Sequence, residues 1–185
     1  MTNGDEIRWY ALRTFHNKAS VVCREATSAE VEWFTPEREV EEVVDGRVTT
    51  RREALMPSLL FLRCTADYIA RLRRTTGDNI LPYCYPRSAR PQPIDDGEME
   101  IFRLVTRTAA RTLELVDDAE LDDDKRVRIT GGLFAGSEGY IRRVRGTKRF
   151  VVRIEGIAAI ATTYIPRQYI EPIEPLPSGR LHNRQ

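Results

Sequence analysis

The stretch that most constrains the fold is Arg126 to Tyr164, where turn-forming glycines interrupt short alternations of apolar and charged residues. Val127, Ile129, Ile141, Val144, Val151 and Ile154 recur at the period of half-buried strands. Between the first two strands lies Gly131-Gly132-Leu133-Phe134-Ala135-Gly136-Ser137-Glu138-Gly139. Glycine supplies backbone angles that other residues resist, and Phe134 gives this loop an apolar anchor. Gly146 separates the second run from the third, and Gly156 the third from the fourth. Short strands joined by tight turns predict a small barrel or sandwich. The β-formers and Gly131, Gly132, Gly136 and Gly139 argue against a helical alternative here.

The residues before this stretch mix α and β. Ile7 to Arg13 reads as a first strand, and Ala19, Val22, Cys23 and Ala26 have helical spacing. Val31 to Thr35 is a second strand stopped by Pro36. Glu39 to Arg52 alternates about Asp45-Gly46, the signature of a hairpin. Leu55 to Cys64 is apolar enough for a central strand. Ala66 to Arg74 predicts a helix ended by Gly77, Ile80 to Tyr85 a strand, and Pro86 to Pro93 a loop. Asp95 to Arg111 is the clearest helix, capped by Asp95 or Asp96, with Met99, Phe102, Val105 and Thr106 inward and Ile101 and Leu104 widening that face.

The order of these elements gives four segments: a mixed domain at 6–111, an acidic linker at 112–124, the β-rich unit at 125–173, and a Pro-rich polar tail at 174–185 expected to be disordered. The linker carries Glu114, Asp117, Asp118, Glu120 and Asp122 to Asp124, and reads most simply as a solvated spacer. The next segment, Lys125 to Arg153, is strongly basic. An acidic linker could dock on that surface, although exposed charges attract only weakly at cellular salt.

Composition excludes several functions. Cys23, Cys64 and Cys84 show no C-x-x-C spacing, so reduced thiols packed as small apolar groups are expected, with no metal site. His16 and His182 are the only histidines, and H-x-x-x-H, G-x-S-x-G and P-loop patterns are missing. No catalysis and no cofactor are expected. The acidic start Met1 to Glu6 does not resemble a signal peptide, and no apolar run approaches membrane-spanning length, so a cytoplasmic protein without a membrane partner is expected.

Val127-x-Ile129-Thr130-x-Gly132-x-Phe134-Ala135-Gly136-x-x-Gly139-x-Ile141 resembles a KOW motif, the core of the SH3-like barrel that ends NusG-family transcription elongation factors. The upstream residues resemble the NGN domain of the same family: Trp9-Tyr10 in the first strand, Phe34-Thr35-Pro36 before the hairpin, Met56 to Leu62 in the central strand, and Pro91 to Asp95 before the last helix. The implied fold class is α+β: an NGN-type α/β sandwich with a mostly antiparallel sheet, then a small all-β SH3-like KOW barrel. Phe15 to Lys18, Pro93-Ile94-Asp95 and Ala161 to Pro166 are similar to the UpxY antiterminators of surface-polysaccharide gene clusters.

The resemblance implies a monomer that binds RNA polymerase at its clamp helices through Trp9, Tyr10, Met56 and Leu59, with Phe61 nearby. Core packing is the alternative for each, and the preferred one for Phe61. It also implies contact of Arg71, Arg73 and Arg74 with non-template DNA, where a solvated helix face is an equal alternative. Arg142, Arg143, Arg145, Lys148 and Arg149 could touch nascent RNA. Glu155 stands where the general factor carries an aromatic for Rho or a ribosomal protein, so weak or no Rho binding is expected. The implied activity is antitermination. A KOW-type RNA- or ribosome-binding protein, or the housekeeping NusG, are the alternatives.

Overall fold

The structure is a computed structural model that describes residues 6–86, 88–116, 125–144, 146–162 and 164–173. The expected tail, Arg145 and the aspartates of 117–124 lie outside the described residues.

β1 (Arg8–Thr14), β2 (Glu32–Phe34), β5 (Leu59–Cys64), β6 (Ile80–Pro82) and β7 (Pro93–Ile94) form a five-stranded sheet ordered β2-β5-β1-β6, with β7 also on β1. Every strand pairing among the described residues is antiparallel. Both central strands are apolar at consecutive positions because both faces of this sheet are covered. One face packs Tyr10, Leu12, Leu60 and Leu62 against Val22 and Ala26 of α1 (Ala19–Ser28) and Ile69 and Leu72 of α2 (Ala66–Thr76). The other packs Trp9, Ala11, Leu59 and Phe61 against Met99, Phe102 and Val105 of α3 (Asp96–Thr108).

α3 begins where the sequence predicts: the Asp95 carboxylate accepts from the Gly97 and Glu98 N–H groups at 2.9 and 3.2 Å. Leu104 departs from expectation and is exposed, whereas Ile101 is half-buried against the core. The two differ because Leu104 lies about 170° around the helix from the centre of the buried face of Met99, Phe102, Val105 and Thr106, whereas Ile101 lies about 110° from it.

β3 (Glu37–Val44) and β4 (Arg47–Ala54) make a separate two-stranded ribbon turning at Asp45-Gly46, both in left-handed backbone conformation. Its base is tied to α3: Glu39 N–H donates to Ala110 O at 3.0 Å and Arg111 pairs with Glu39 at 2.9 Å.

A six-stranded sheet, β13-β9-β10-β11-β12-β8, holds the rest: β8 (Glu114–Val116), β9 (Lys125–Ile129), β10 (Glu138–Val144), β11 (Thr147–Ile154), β12 (Ala158–Ala161) and β13 (Ile170–Pro172). β8 corrects the expectation of a spacer over 112–124, since Glu114 to Val116 pair with β12 and Leu113 is buried. The two sheets share a core. One buried cluster runs from Trp9, Phe61 and Phe102 to Phe134, Phe150, Val152, Ile154 and Ile160, and α3 contacts β1, β3 and β11.

Candidate functional site

The five apolar residues predicted to grip a partner do not form one exposed patch. Alternation along β1 puts Trp9 under α3 and Tyr10 under α1 and α2. Burial pushes the Tyr10 phenol up from its ordinary value. Leu59 and Phe61, two residues apart on β5, join Trp9 in the α3-side core, and Met56 packs against it half-buried from the loop before β5. The structure therefore brings together Trp9, Met56, Leu59 and Phe61 and separates Tyr10. Phe61 is completely buried, with ring centroids 6.0 Å from Phe34 and 5.7 Å from Phe102.

Arg103 completes this face, a residue the sequence reading missed. Its guanidinium lies 5.1 Å from the Trp9 ring and 5.6 Å from Phe34, and pairs with Glu32 at 2.7 Å. Only its position on the helix face beside Phe102 hinted at this. Clustered aromatics with an arginine are the composition of interface hot spots.

At the other end of α3, Glu98 meets the turn between β11 and β12. Burial raises its carboxyl above the usual range. The Glu155 backbone N–H donates to it and Arg153 lies near, both opposing the rise, while the Asp95 and Glu155 carboxylates add to it. Glu155 therefore sits where α3 meets the C-terminal sheet.

The basic candidates divide as well. On α2, Arg73 and Arg74 border a groove with Ile69 and Ala70, whereas Arg71 leans 5.9 Å from the Tyr68 ring on the side toward α1. On β10 and β11 the register pairs Arg142 with Arg149 and Arg143 with Lys148, so the two pairs point to opposite faces. Arg143 and Lys148 are exposed, while Arg142 and Arg149 are half-buried and Arg149 is bound to Glu114 at 3.0 Å. Arg145 lies outside the described residues. The basic segment is thus not one continuous patch, for Glu138 also binds Arg126 at 2.9 Å and Arg128 at 2.7 Å.

The glycine motif has two separate physical uses. Gly132 and Gly136 adopt positive φ of 78° and 86°, turning the loop around buried Phe134, whose ring lies 6.2 Å from Phe150. Gly131 and Gly139 allow close approach: a Cβ would fall 2.5 Å from the Tyr169 ring at the first and 2.5 Å from the Val151 carbonyl at the second. Leu133 is exposed at the loop tip.

Among the described residues, no group of His, Cys, Asp and Glu could hold a metal ion, and no helix is long and apolar enough to cross a membrane.

A family model described as "NusG: Transcription termination factor nusG" matches residues 7–103, just over half of the chain. None of the curated proteins matches it. Among solved structures, the chain is similar to one described as "Domain interaction in Thermotoga maritima NusG", at 17% identity and a TM-score of 0.47, over 91% of this chain and 98% of that one.

Proposed function

The chain belongs to the NusG family of transcription factors, and from that premise we propose that it is an antiterminating elongation factor of the UpxY kind. In this reading its N-terminal domain holds RNA polymerase by the clamp helices, serving a surface-polysaccharide operon. The C-terminal sheet acts as an SH3-like KOW barrel.

The observation that carries the reading is the apolar face made by Trp9, Met56, Leu59 and Phe61, lined by Phe34 and flanked by Arg103. Its buried cluster continues into the C-terminal sheet through Val152 and Ile154. Trp9, Leu59 and Phe61 lie beneath α3, so movement of that sheet would uncover only the part of the cluster that meets Val152 and Ile154. The surface offered to a helical partner is that part together with half-buried Met56 and Phe34 at the rim. A factor that binds the closed clamp more tightly than the open one shifts polymerase toward processive elongation. Tyr10 has no part in this contact, because it faces α1 and α2.

Two further contacts belong to the proposal. Arg73 and Arg74 meet the displaced non-template strand. Exposed Arg143 and Lys148 meet nascent RNA. Glu155 replaces an aromatic anchor with a carboxylate, which disfavours Rho.

The test is retention of core RNA polymerase by immobilised wild-type protein and by Met56→Glu, each shown folded by circular dichroism. Met56 is half-buried, so a carboxylate there charges the rim of the face. Retention by wild type and loss by the variant supports the reading, with readthrough in a terminator assay as its functional consequence. Failure of the wild type to retain polymerase refutes it.

A further inference from the structure

The ribbon of β3 and β4 has one strand edge in use and the other open. Its Asp45-Gly46 turn, with φ of 52° and 75°, makes Val44 and Arg47 the last pair to exchange both backbone bonds. Alternation along the ladder then turns the N–H and C=O groups of Glu39, Glu41 and Val43 outward on β3, and those of Val48, Thr50 and Arg52 outward on β4. The β3 edge is tied to the body, for the Glu39 N–H donates to Ala110 O at 3.0 Å. Among the described residues β4 pairs only with β3, and no other backbone group bonds Val48, Thr50 or Arg52. We propose that the open edge of β4 pairs with β4 of a second copy of this chain, antiparallel across a two-fold axis at Thr50, so that two ribbons form one four-stranded sheet. This pairing is independent of the clamp contact and departs from the monomer that the family resemblance implies.

β4 lacks most of the devices that close an edge strand. Its eight residues include no proline or glycine, its one-to-one register with β3 leaves no bulge, and Val48, Thr49 and Thr50 are β-branched. Arg47 to Arg52 are all exposed, and the opposed valines at the tip, Val43 and Val48, are 72% and 68% exposed. A two-stranded ribbon with no covered face is only marginally stable, and a sheet of four strands is better supported.

Charge selects both the occupant and the register. Antiparallel strands bond through their outward groups, so Val48, Thr50 and Arg52 must meet the same three residues of the second copy in reverse order. With Thr50 facing Thr50, Val48 lies opposite Arg52, Thr49 opposite Arg51, and Arg47 opposite Glu53, each pair occurring twice. No like charges are then directly opposed. Sliding by two residues opposes Arg47 to Arg51 in one direction and Arg51 to itself in the other, which is unfavourable. Arg47 makes no ion pair among the described residues, and Glu53 of the second copy supplies one. Arg51, the cation nearest the axis, is already held by Glu42 at 2.8 Å and Glu53 at 3.0 Å, so its charge does not oppose the approach. The alkyl stem of Arg52 covers Val48 of the second copy.

The facing residues Arg47 to Glu53 bury less than the roughly 1,000 Å² of a stable interface, so the dimer is of the weak class, with a dissociation constant on the order of 10–100 μM.

Sedimentation velocity of the full-length protein, from tenfold below that range to severalfold above it, reads the assembly. Circular dichroism melts show that each variant folds. Thr50→Pro removes an outward N–H that the β3–β4 ladder does not use, so the ribbon is kept while bonds between copies are lost. Wild type should dimerise reversibly, and Thr50→Pro should stay monomeric. Arg47→Glu sets two carboxylates opposite each other at both ends of the contact and should weaken the dimer about tenfold. Thr50→Cys should cross-link to itself under mild oxidation, because residues facing across the axis have Cα atoms about 5.5 Å apart, within disulfide reach. Thr49→Cys, offset from its own copy by two residues, should link far more slowly.

A wild type that stays monomeric throughout overturns the proposal and leaves the edge to a strand of another protein. A dimer that survives Thr50→Pro also overturns it, as does equally fast cross-linking of Thr49→Cys and Thr50→Cys.

Discussion

Alanine at Gly139 and alanine at Gly136 should destabilise the C-terminal sheet by different amounts for different reasons. Gly139 lies in β10 opposite Val127, and its φ is not in the left-handed region. A Cβ there would stand 2.5 Å from the Val151 carbonyl oxygen and 2.6 Å from Cε2 of Phe150. Carbon atoms at rest sit at ~3.5 Å or more from their neighbours, so β11 would have to retreat by about 1 Å. The Val151 oxygen belongs to the backbone of a paired strand, and Phe150 is completely buried, so neither can swing aside. Overpacking of this kind costs up to about 3 kcal/mol, and for a chain of this length that lowers Tm by roughly 6–12 °C. Gly136 has φ 86° and no atom within 4 Å of the added Cβ. Only the left-handed backbone penalises alanine there, by about 1 kcal/mol, or roughly 2–4 °C. Thermal melts of the three proteins followed by circular dichroism test this. A Gly139→Ala protein as stable as Gly136→Ala, or more so, refutes the close-approach reasoning.

The remaining predictions concern single groups. Asp95→Ala removes an acceptor of two N–H groups at the start of α3 and should cost about 1 kcal/mol, seen as a modest fall in Tm. Because the Glu98 carboxyl is raised in the folded state, its contribution to stability is present below the ordinary glutamate value and lost as pH rises through the raised one. Wild type should therefore gain Tm relative to Glu98→Gln on acidification from neutral toward about pH 5, and identical pH slopes would contradict this. Burial pushes the Cys64 thiol up to about 12, so Cys64 should stay unalkylated in the folded protein at mildly alkaline pH and react on unfolding, while Cys23 is partly accessible. Mass spectrometry after timed iodoacetamide labelling reads the order.

The fold was legible wherever a period could be counted. The Asp45-Gly46 hairpin, the Asp95 cap and the inward face of α3 at Met99, Phe102, Val105 and Thr106 appear as the pattern predicts. The candidate site was less legible, because Trp9-Tyr10 and Leu59 to Leu62 are apolar at every position and so carry no alternation to say which face is which. One residue of register decides that question. Charge was misleading for a related reason: counting basic residues from Lys125 to Arg153 suggests one surface, but pleating sends Arg142 and Arg149 away from Arg143 and Lys148. Glu114 then reaches Arg149 because β8 closes onto β12, a pairing too distant for a local pattern to reveal. The groove beside Ala70 depends on Pro82 and Pro91, whose approach to α2 is likewise a tertiary fact.

α3 is where these strands of the structure meet. Its buried residues complete the core beneath β1 and β5, its C-terminal neighbour Ala110 holds the base of the β3–β4 ribbon, and Glu98 holds the turn after β11. A partner that displaces the C-terminal sheet must expose part of a shared apolar cluster, which is unfavourable in water unless the partner covers it again. Binding at the Met56 rim and docking of the sheet on α3 are then coupled in both directions, with equal free energy. Burial at that contact disfavours the charged form of Glu98, while the Glu155 N–H that donates to its carboxyl and nearby Arg153 favour it. Thus desolvation of the Glu98 carboxyl and its proximity to the Glu155 carboxylate oppose the docking, while the Glu155 N–H bond to Glu98 and the continuity of the apolar cluster from Phe102 to Ile154 tilt the balance toward closure.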